Sequence, residues 1–552
     1  MLRNVGLRKS VEQPVLDLNF AAAGALDSRI TFSRGTSATF VGSNGLIQTA
    51  GNSAARFDHD PVTNTPRGLL IEEARTNDAT QSEIFAAQSG CTIVSNNNLA
   101  PDGTTTADTL TLDTSTGPKQ VKASPNPTNS NSVSYALSVF AKLINGTPNL
   151  VFRGYGNGGS GEYPIFDLAN KTVVRNGTAW SNAKVEDYGN GWLRCSAVTT
   201  ATNTNGPIIQ FLASGDETGT TSYTGNGTDA IAFWGAQQEQ GSFPTSYIKT
   251  TGSSATRNAD VATMGPTTGG TELVVNGTFD TNSDWNLPSG GEVTIAGGQL
   301  SFTSAGQFKT AQQDDNSKFV VGRRYRGSFD VTSYTSGGVK MQYREGSGAT
   351  VIAQTDAQTS TGTYTFDFTC SDIADNRVQI MTTGSGTTNT FEIDNVSVRE
   401  LYPFEAYNPS EGTYYIHSKR STDVNSRFYI LNAIADGVSP ADQMYLWHWD
   451  GSATTVRWKI EDGGVASSDS TRTTTLDADM RLAAPYKSND ASLALNGSAA
   501  STDTSVTVPP IDKIAFGYAE DPSNFFLNGH IKQVSYYARR LSNKTLEALT
   551  DD

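Results

Sequence analysis

Three cysteines in 552 residues are too few for a disulfide framework. Cys91, Cys195 and Cys370 allow one bridge at most, and they cannot supply a four-thiolate metal site. Histidine is equally sparse. His59, His417, His448 and His530 stand singly, with no HExxH and no paired spacing for zinc. A Gly-x-Ser-x-Gly elbow is also missing, so neither a metalloenzyme nor a triad hydrolase is expected. Only 17% of residues are charged, and 55 acidic against 40 basic residues leave a net charge of −15. That sign repels phosphate backbones and anionic lipid, which argues against nucleic-acid or membrane partners. No uncharged apolar run approaches the roughly 18 residues of a membrane span. The first twenty residues show no apolar run ending in a cleavage site, so the chain is expected to be made in a reducing cytoplasm.

What the sequence does contain is glycine, aromatics and alternation. There are 53 Gly, 24 Phe, 20 Tyr and 7 Trp, enough for several cores. Apolar and polar residues alternate through Arg29–Phe32, Val133–Phe140, Glu292–Ile295 and Ile531–Tyr536, the period of half-buried strands. Ten Asn-Gly pairs, Asn44-Gly45 and Asn496-Gly497 among them, supply turn chemistry. Helical spacing is confined mainly to Leu541–Leu549, where Ser542 can cap and Leu546 and Leu549 share a face. These signals predict an all-β chain of sandwiches with a short C-terminal helix. Turn-rich, apolar-poor stretches at Thr250–Gly270 and Leu401–Gly412 predict two cuts. The expected organisation is therefore an arm over 1–20 and three tandem sandwich regions over 21–262, 270–401 and 403–552. Each region closes on an alternating strand, at 232–237, 391–398 and 531–537. The arm carries Arg3, Arg8 and Lys9 against Glu12 and Asp17, a charge suited to docking on an acidic surface.

An ordered set of motifs then points to a family. It begins with Phe32-Ser33-Arg34, Ser37–Phe40, Gly45–Ala50, Arg56-Phe57-Asp58, Asp60-Pro61-Val62 and Gly68–Asn77. It continues with Ala100–Thr104, Gly189–Trp192, Trp234–Gln237 and Phe243–Ile248. Over residues 14–262 the chain resembles tailed-bacteriophage virion proteins, the tail-fibre and head-fibre proteins with carbohydrate-binding-like sandwiches. The 270–401 block, with Asn276–Asp280, Trp285, Tyr325–Asp330 and Ile393–Val396, is similar to jelly-roll carbohydrate-binding modules. The last block, with Asn528–Ile531 and Tyr536–Ser542, resembles a laminin-G or concanavalin-type sandwich. The resemblance implies a virion structural protein, a fibre-like adhesin component that binds host-surface glycan without cleaving it. It also implies other virion proteins as partners, a homotrimer, and location in the virion. A capsid-attached head fibre or decoration protein, a glycan depolymerase and a secreted bacterial glycan-binding protein are the alternatives.

Candidate residues follow from sugar and metal chemistry. Flat aromatic faces stack on pyranose rings, so Trp285, Tyr325, Tyr334 and Tyr343 are candidates in the middle block. Trp285 sits among Asn282, Ser283, Asp284 and Asn286, which reads as an exposed loop. Tyr445, Trp447 and Trp449 alternate with His448 and read mainly as core, as does neighbouring Trp458. In the modules that the middle block resembles, a structural calcium is held between the first and last strands. Asp280 and Asp394 fall at those positions. Gly154–Gly159 formally matches GxGxxG, but a strand-like run follows, so it reads as a β-loop. Asp58, Asp60, Glu72 and Glu73 read as structural acids, with Arg56, Arg67 and Arg75 as ion partners.

Overall fold

The computed structural model describes residues 13–123, 130–153, 163–201, 208–212, 223–314, 318–346, 350–383, 388–420, 428–435, 442–449, 455–474, 479–519 and 525–551. Residues 1–12 of the expected arm and the glycine run 154–159 lie outside this set, as does the side chain of Trp449. The fold is all-β, in three sandwich regions with a short C-terminal helix, Asn543–Thr550. Ser542 caps that helix by accepting from the Thr545 N–H at 3.3 Å, and Leu546 is buried beneath it.

The alternating runs become the strands Ile30–Ser33, Ser134–Asn145, Val293–Ala296 and Gly529–Tyr537. The closing strand of each block is interior to its sheet. Ala230–Gln240 lies between Ser134–Asn145 and Ala107–Leu112, and Asn389–Tyr402 lies between Gln299–Ala305 and Arg324–Ser336. Gly529–Tyr537 lies between Glu411–Arg420 and Pro66–Ile71.

Sheet pairing runs across the expected cuts. Leu16–Asn19 pairs antiparallel with Gly529–Tyr537, with Leu16 opposite Tyr536. Pro66–Ile71 joins the same strand further along the same side, with Leu69 opposite Ile531, while Glu411–Arg420 takes its other side. In the facing sheet, Val261–Met264 is flanked by Ile30–Ser33 and Lys513–Phe516. One core unites Leu16, Leu18, Phe20, Leu69 and Ile71 with Met264 and with Trp458, Tyr486 and Tyr536. The N-terminal segment thus completes the C-terminal sandwich. A second sandwich, with its own core around Phe152, Phe166 and Phe233, is inserted between Asn77 and Ala255. The third, around Phe302, Phe329 and Tyr343, is inserted before Leu401.

Both stretches that read as boundaries are structural. Phe404 and Tyr407 from Leu401–Gly412 are in the composite core. Thr250–Gly270 contains Ala255–Arg257, paired with Arg75–Asn77. Its buried groups include the ionic Arg257 and Asp260 beside Ala262 and Met264.

Candidate functional site

That ionic seam is where the inserted sandwich leaves and rejoins the composite one. Asp260 accepts from Arg34 at 2.9 Å and also from Arg56. Arg56 bridges to Glu72 at 2.7 Å, and Arg257 stands 3.6 Å from the same carboxylate. Glu72 additionally accepts from the Ser246 N–H at 2.8 Å and its hydroxyl at 2.7 Å. Burial alone would push Glu72 up, yet Arg257 and Arg56 hold it well below the ordinary carboxylate range. All five charged side chains are buried. Arg56 and Glu72 pair as expected, and so do Arg67–Asp60 at 2.9 Å and Arg75–Glu73 at 2.5 Å. Arg34, Arg257 and Asp260 escaped sequence reasoning, since each looks ordinary in its own neighbourhood.

The expected sugar platforms are not surfaces. Trp285 is only 8% exposed, packs 5.3 Å from Phe279, and donates its indole N–H to the Asn276 carbonyl at 3.1 Å. Its polar neighbours do line a loop, but the ring folds inward. Tyr325 and Tyr343 are fully buried, stacked at 5.5 and 4.0 Å on Phe368. Their hydroxyls meet the Val320 N–H and Glu345 internally. None of the three offers a free ring face to a pyranose, and Tyr334 also packs partly against this core. Tyr445 and Trp447 lie on the strand face opposite the composite core, yet they too are shielded, beside Tyr429, Arg457 and Lys459.

Each acid proposed for calcium has a local hydrogen-bond partner. Exposed Asp280 accepts from Thr278 at 2.7 Å, and Asp394 accepts from the Asn395 N–H at 2.7 Å. Among the described residues no three His, Cys, Asp or Glu side chains are grouped to hold a metal.

A cavity of about 270 Å³ does exist, between the inserted and composite sandwiches. Period two builds its first wall. On the edge strand Trp180–Asp187, Val185 packs on the inner core, which turns Lys184 and Glu186 outward, and a register shift between Ser181 and Lys184 brings Asn182 into the same lining. Arg194, directly opposite Glu186 on Leu193–Thr200, shares that face with Ser196 and with Tyr188 just beyond. The second wall comes from the composite sheet, as Asp58, Arg67, Lys419 and His530, and the hairpin at Ala38–Val41 and Ile47–Ala50 closes one side.

Each wall is held by its own contacts. His530 Nε2 lies 2.8 Å from Asp58 Oδ2, while Asp58 Oδ1 accepts from the Val41 N–H at 2.7 Å. Arg67 stands 3.8 Å from Asp58 and Lys184 pairs with Glu186 at 2.9 Å. Arg194 donates to Ser138 at 3.0 Å and to the Thr245 carbonyl at 2.7 Å, over the ring of Phe140. Tyr188 meets the same ring edge-on at 4.9 Å, and burial pushes its hydroxyl up to about 12. Burial raises Glu186 as well, but Lys184, Arg194 and Arg67 outweigh it and hold the carboxyl below its usual range. The sequence did carry a signal for this wall, in the alternation of polar Asn182, Lys184, Glu186 and Tyr188 with Ala183 and Val185.

No protein-family model matches this sequence, and no curated protein matches it. Among solved structures, the chain is similar to the CBM40 of the Ruminococcus gnavus IT-sialidase bound to alpha2,3 sialyllactose. The two are 18% identical over 26% of this chain and 84% of that one, with a TM-score of 0.24. It is also similar to the N-terminal CBM22-1-CBM22-2 tandem of Paenibacillus barcinonensis Xyn10C, at 10% identity over 60% and 97%, TM-score 0.21. Domains LG4-5 of the mouse laminin alpha1 chain match at 12% identity over 44% and 90%, TM-score 0.18. These solved structures are carbohydrate-binding modules and laminin G domains.

Proposed function

We propose that this protein is a fibre-like structural component of a tailed-phage virion that binds host-surface glycan without cutting it. The cavity between the two sandwiches is the observation that supports glycan binding. Carboxylates, guanidinium groups, an imidazole and a phenol line one concave space, already fixed by contacts with one another. A polyol is recognised by such fixed donors and acceptors, and a preformed site loses little entropy on binding. Assignment to a virion rests on the motifs of residues 14–262, several of which build the ionic seam through Arg34, Arg56, Glu72 and Ser246. Virion partners, a trimer and a docking role for residues 1–12 belong to the same proposal.

Asp58 and Glu186 lining one cavity favour a second reading, hydrolysis. Glycoside cleavage needs one carboxyl kept protonated as general acid. Glu186 is held ionised by three cations, and Asp58 is engaged by Val41 and His530, so recognition is the better reading. The test is a host-polysaccharide array probed with the full chain, with reducing ends assayed alongside and purified particles analysed for the chain. Weak multivalent binding, no new reducing ends and presence in particles are expected. Reducing-end release would establish the depolymerase, and absence from particles would remove the virion role. Presence in particles without any glycan binding would favour the decoration protein.

A further inference from the structure

We propose that the inter-sandwich cavity takes a carboxylated sugar unit, a hexuronate-type residue of an acidic polysaccharide. This inference rests on the glycan-binding reading and specifies its ligand.

Charge is the first argument. Arg67, Lys184, Arg194, Lys419 and Arg420 line the cavity against Asp58, Glu72 and Glu186. Glu72 is already neutralised from behind by Arg56 and Arg257. With Asp60 taking one contact of Arg67 and Glu186 pairing Lys184, the lining of a chain of net charge −15 still holds more cations than carboxylates. Glu186 reports that excess, since three of the cations offset the rise that burial imposes.

The mixture of groups narrows the class further. Guanidinium and ammonium groups suit a carboxylate, whereas Asp58 and Glu186 can only accept, so they suit hydroxyl donors. Phosphate or sulfate brings negative charge without the ring of hydroxyls and would meet two carboxylates. A neutral hexose would satisfy the acceptors and leave the excess positive charge unused. One residue carrying both a carboxylate and hydroxyls answers both halves of the lining. A volume of about 270 Å³ lies at the small end of ligand sites, which fits a single ring at a terminus or branch.

The test uses the full chain and acidic polysaccharides, each paired with its carboxyl-reduced counterpart, with sodium glucuronate, glucose and inorganic phosphate as soluble competitors. Acidic polymers should bind at least ten-fold more tightly than their reduced forms, and binding should weaken between 50 and 500 mM salt, as the Debye length falls from about 14 to about 4 Å. Glucuronate should compete, whereas glucose and phosphate should not. Lys184→Gln and Arg67→Gln, at partly exposed positions, should each weaken the acidic polymer several-fold and leave the unfolding midpoint in place. Equal binding of acidic and reduced polymers would overturn this inference and leave glycan binding standing. So would competition by phosphate as strong as that by glucuronate, or unchanged binding in both variants. Failure of every polymer to bind would overturn the glycan reading itself.

Discussion

His448 makes the composite sandwich acid-sensitive above the pH at which carboxylates titrate. Its ring is fully buried, directly opposite Phe428 across the sheet and stacked on it at 4.8 Å, nearly parallel. Arg420, itself buried and lying over Phe428, places a guanidinium nitrogen 2.8 Å from His448 Nε2. The imidazole accepts from that cation and so must be neutral. Burial, and then Arg420, pull its pKa down to about 3 from the usual 6.5. Between those values the unfolded chain binds a proton that the folded chain refuses, so stability falls as pH falls. Above 6.5 the contribution to the slope fades within about one pH unit. From pH 7 to pH 5 the loss from this one residue is at most about 2 kcal/mol. His417, lowered to about 4 by burial and by Lys532 and Arg481, acts in the same direction, but it is less enclosed and adds less. Urea denaturation at pH 7 and pH 5 provides the assay, comparing the natural chain with His448→Gln. Glutamine keeps an acceptor for Arg420 and does not titrate. The natural chain should lose about 2 kcal/mol more than the variant over this interval. Equal losses would refute the buried neutral imidazole.

Two further perturbations test the seam and the middle module. Asp260→Asn removes the carboxylate shared by Arg34 and Arg56 and should cost about 3–5 kcal/mol, whereas Asp60→Asn, at the exposed pair with Arg67, should cost under about 1. Similar urea midpoints for the two variants would show that the seam carries no special weight. Trp285→Ala opens a hole beside Phe279 and should cost about 3–5 kcal/mol, seen as a lower melting temperature by circular dichroism. An unchanged melting temperature would mean that the ring is not packed.

Strand identity was legible because alternation is a local property. Ile30–Ser33 and Gly529–Tyr537 were readable from their own residues, as were Ser542 and Leu546 at the helix. Partnership between strands is not local. Asp17 accepts from the Ser535 hydroxyl across 518 residues, and nothing near either residue names the other. The seam misled for a related reason. A stretch that exchanges apolar side chains for Arg257 and Asp260 looks like a linker, and only Arg34 and Arg56, folded onto it from far upstream, turn those charges into a buried cluster. Trp285 misled in the opposite sense, because Thr281 and Ser283 satisfy each other and Asn276 at the surface while the ring turns in.

The cavity joins both kinds of information. Alternation over Asn182–Tyr188 predicts a polar face, and a polar strand face ordinarily meets water. Whether it becomes a site depends on what closes over it. Here the closing face holds Asp58 and His530, themselves 472 residues apart and joined only because the N-terminal segment completes the C-terminal sheet. The insertion topology therefore creates the site, by pressing a charged outer face of one sandwich against the outer face of the composite sheet. Detaching either end of the chain from the composite sheet would open the cavity without altering a residue of the inserted wall.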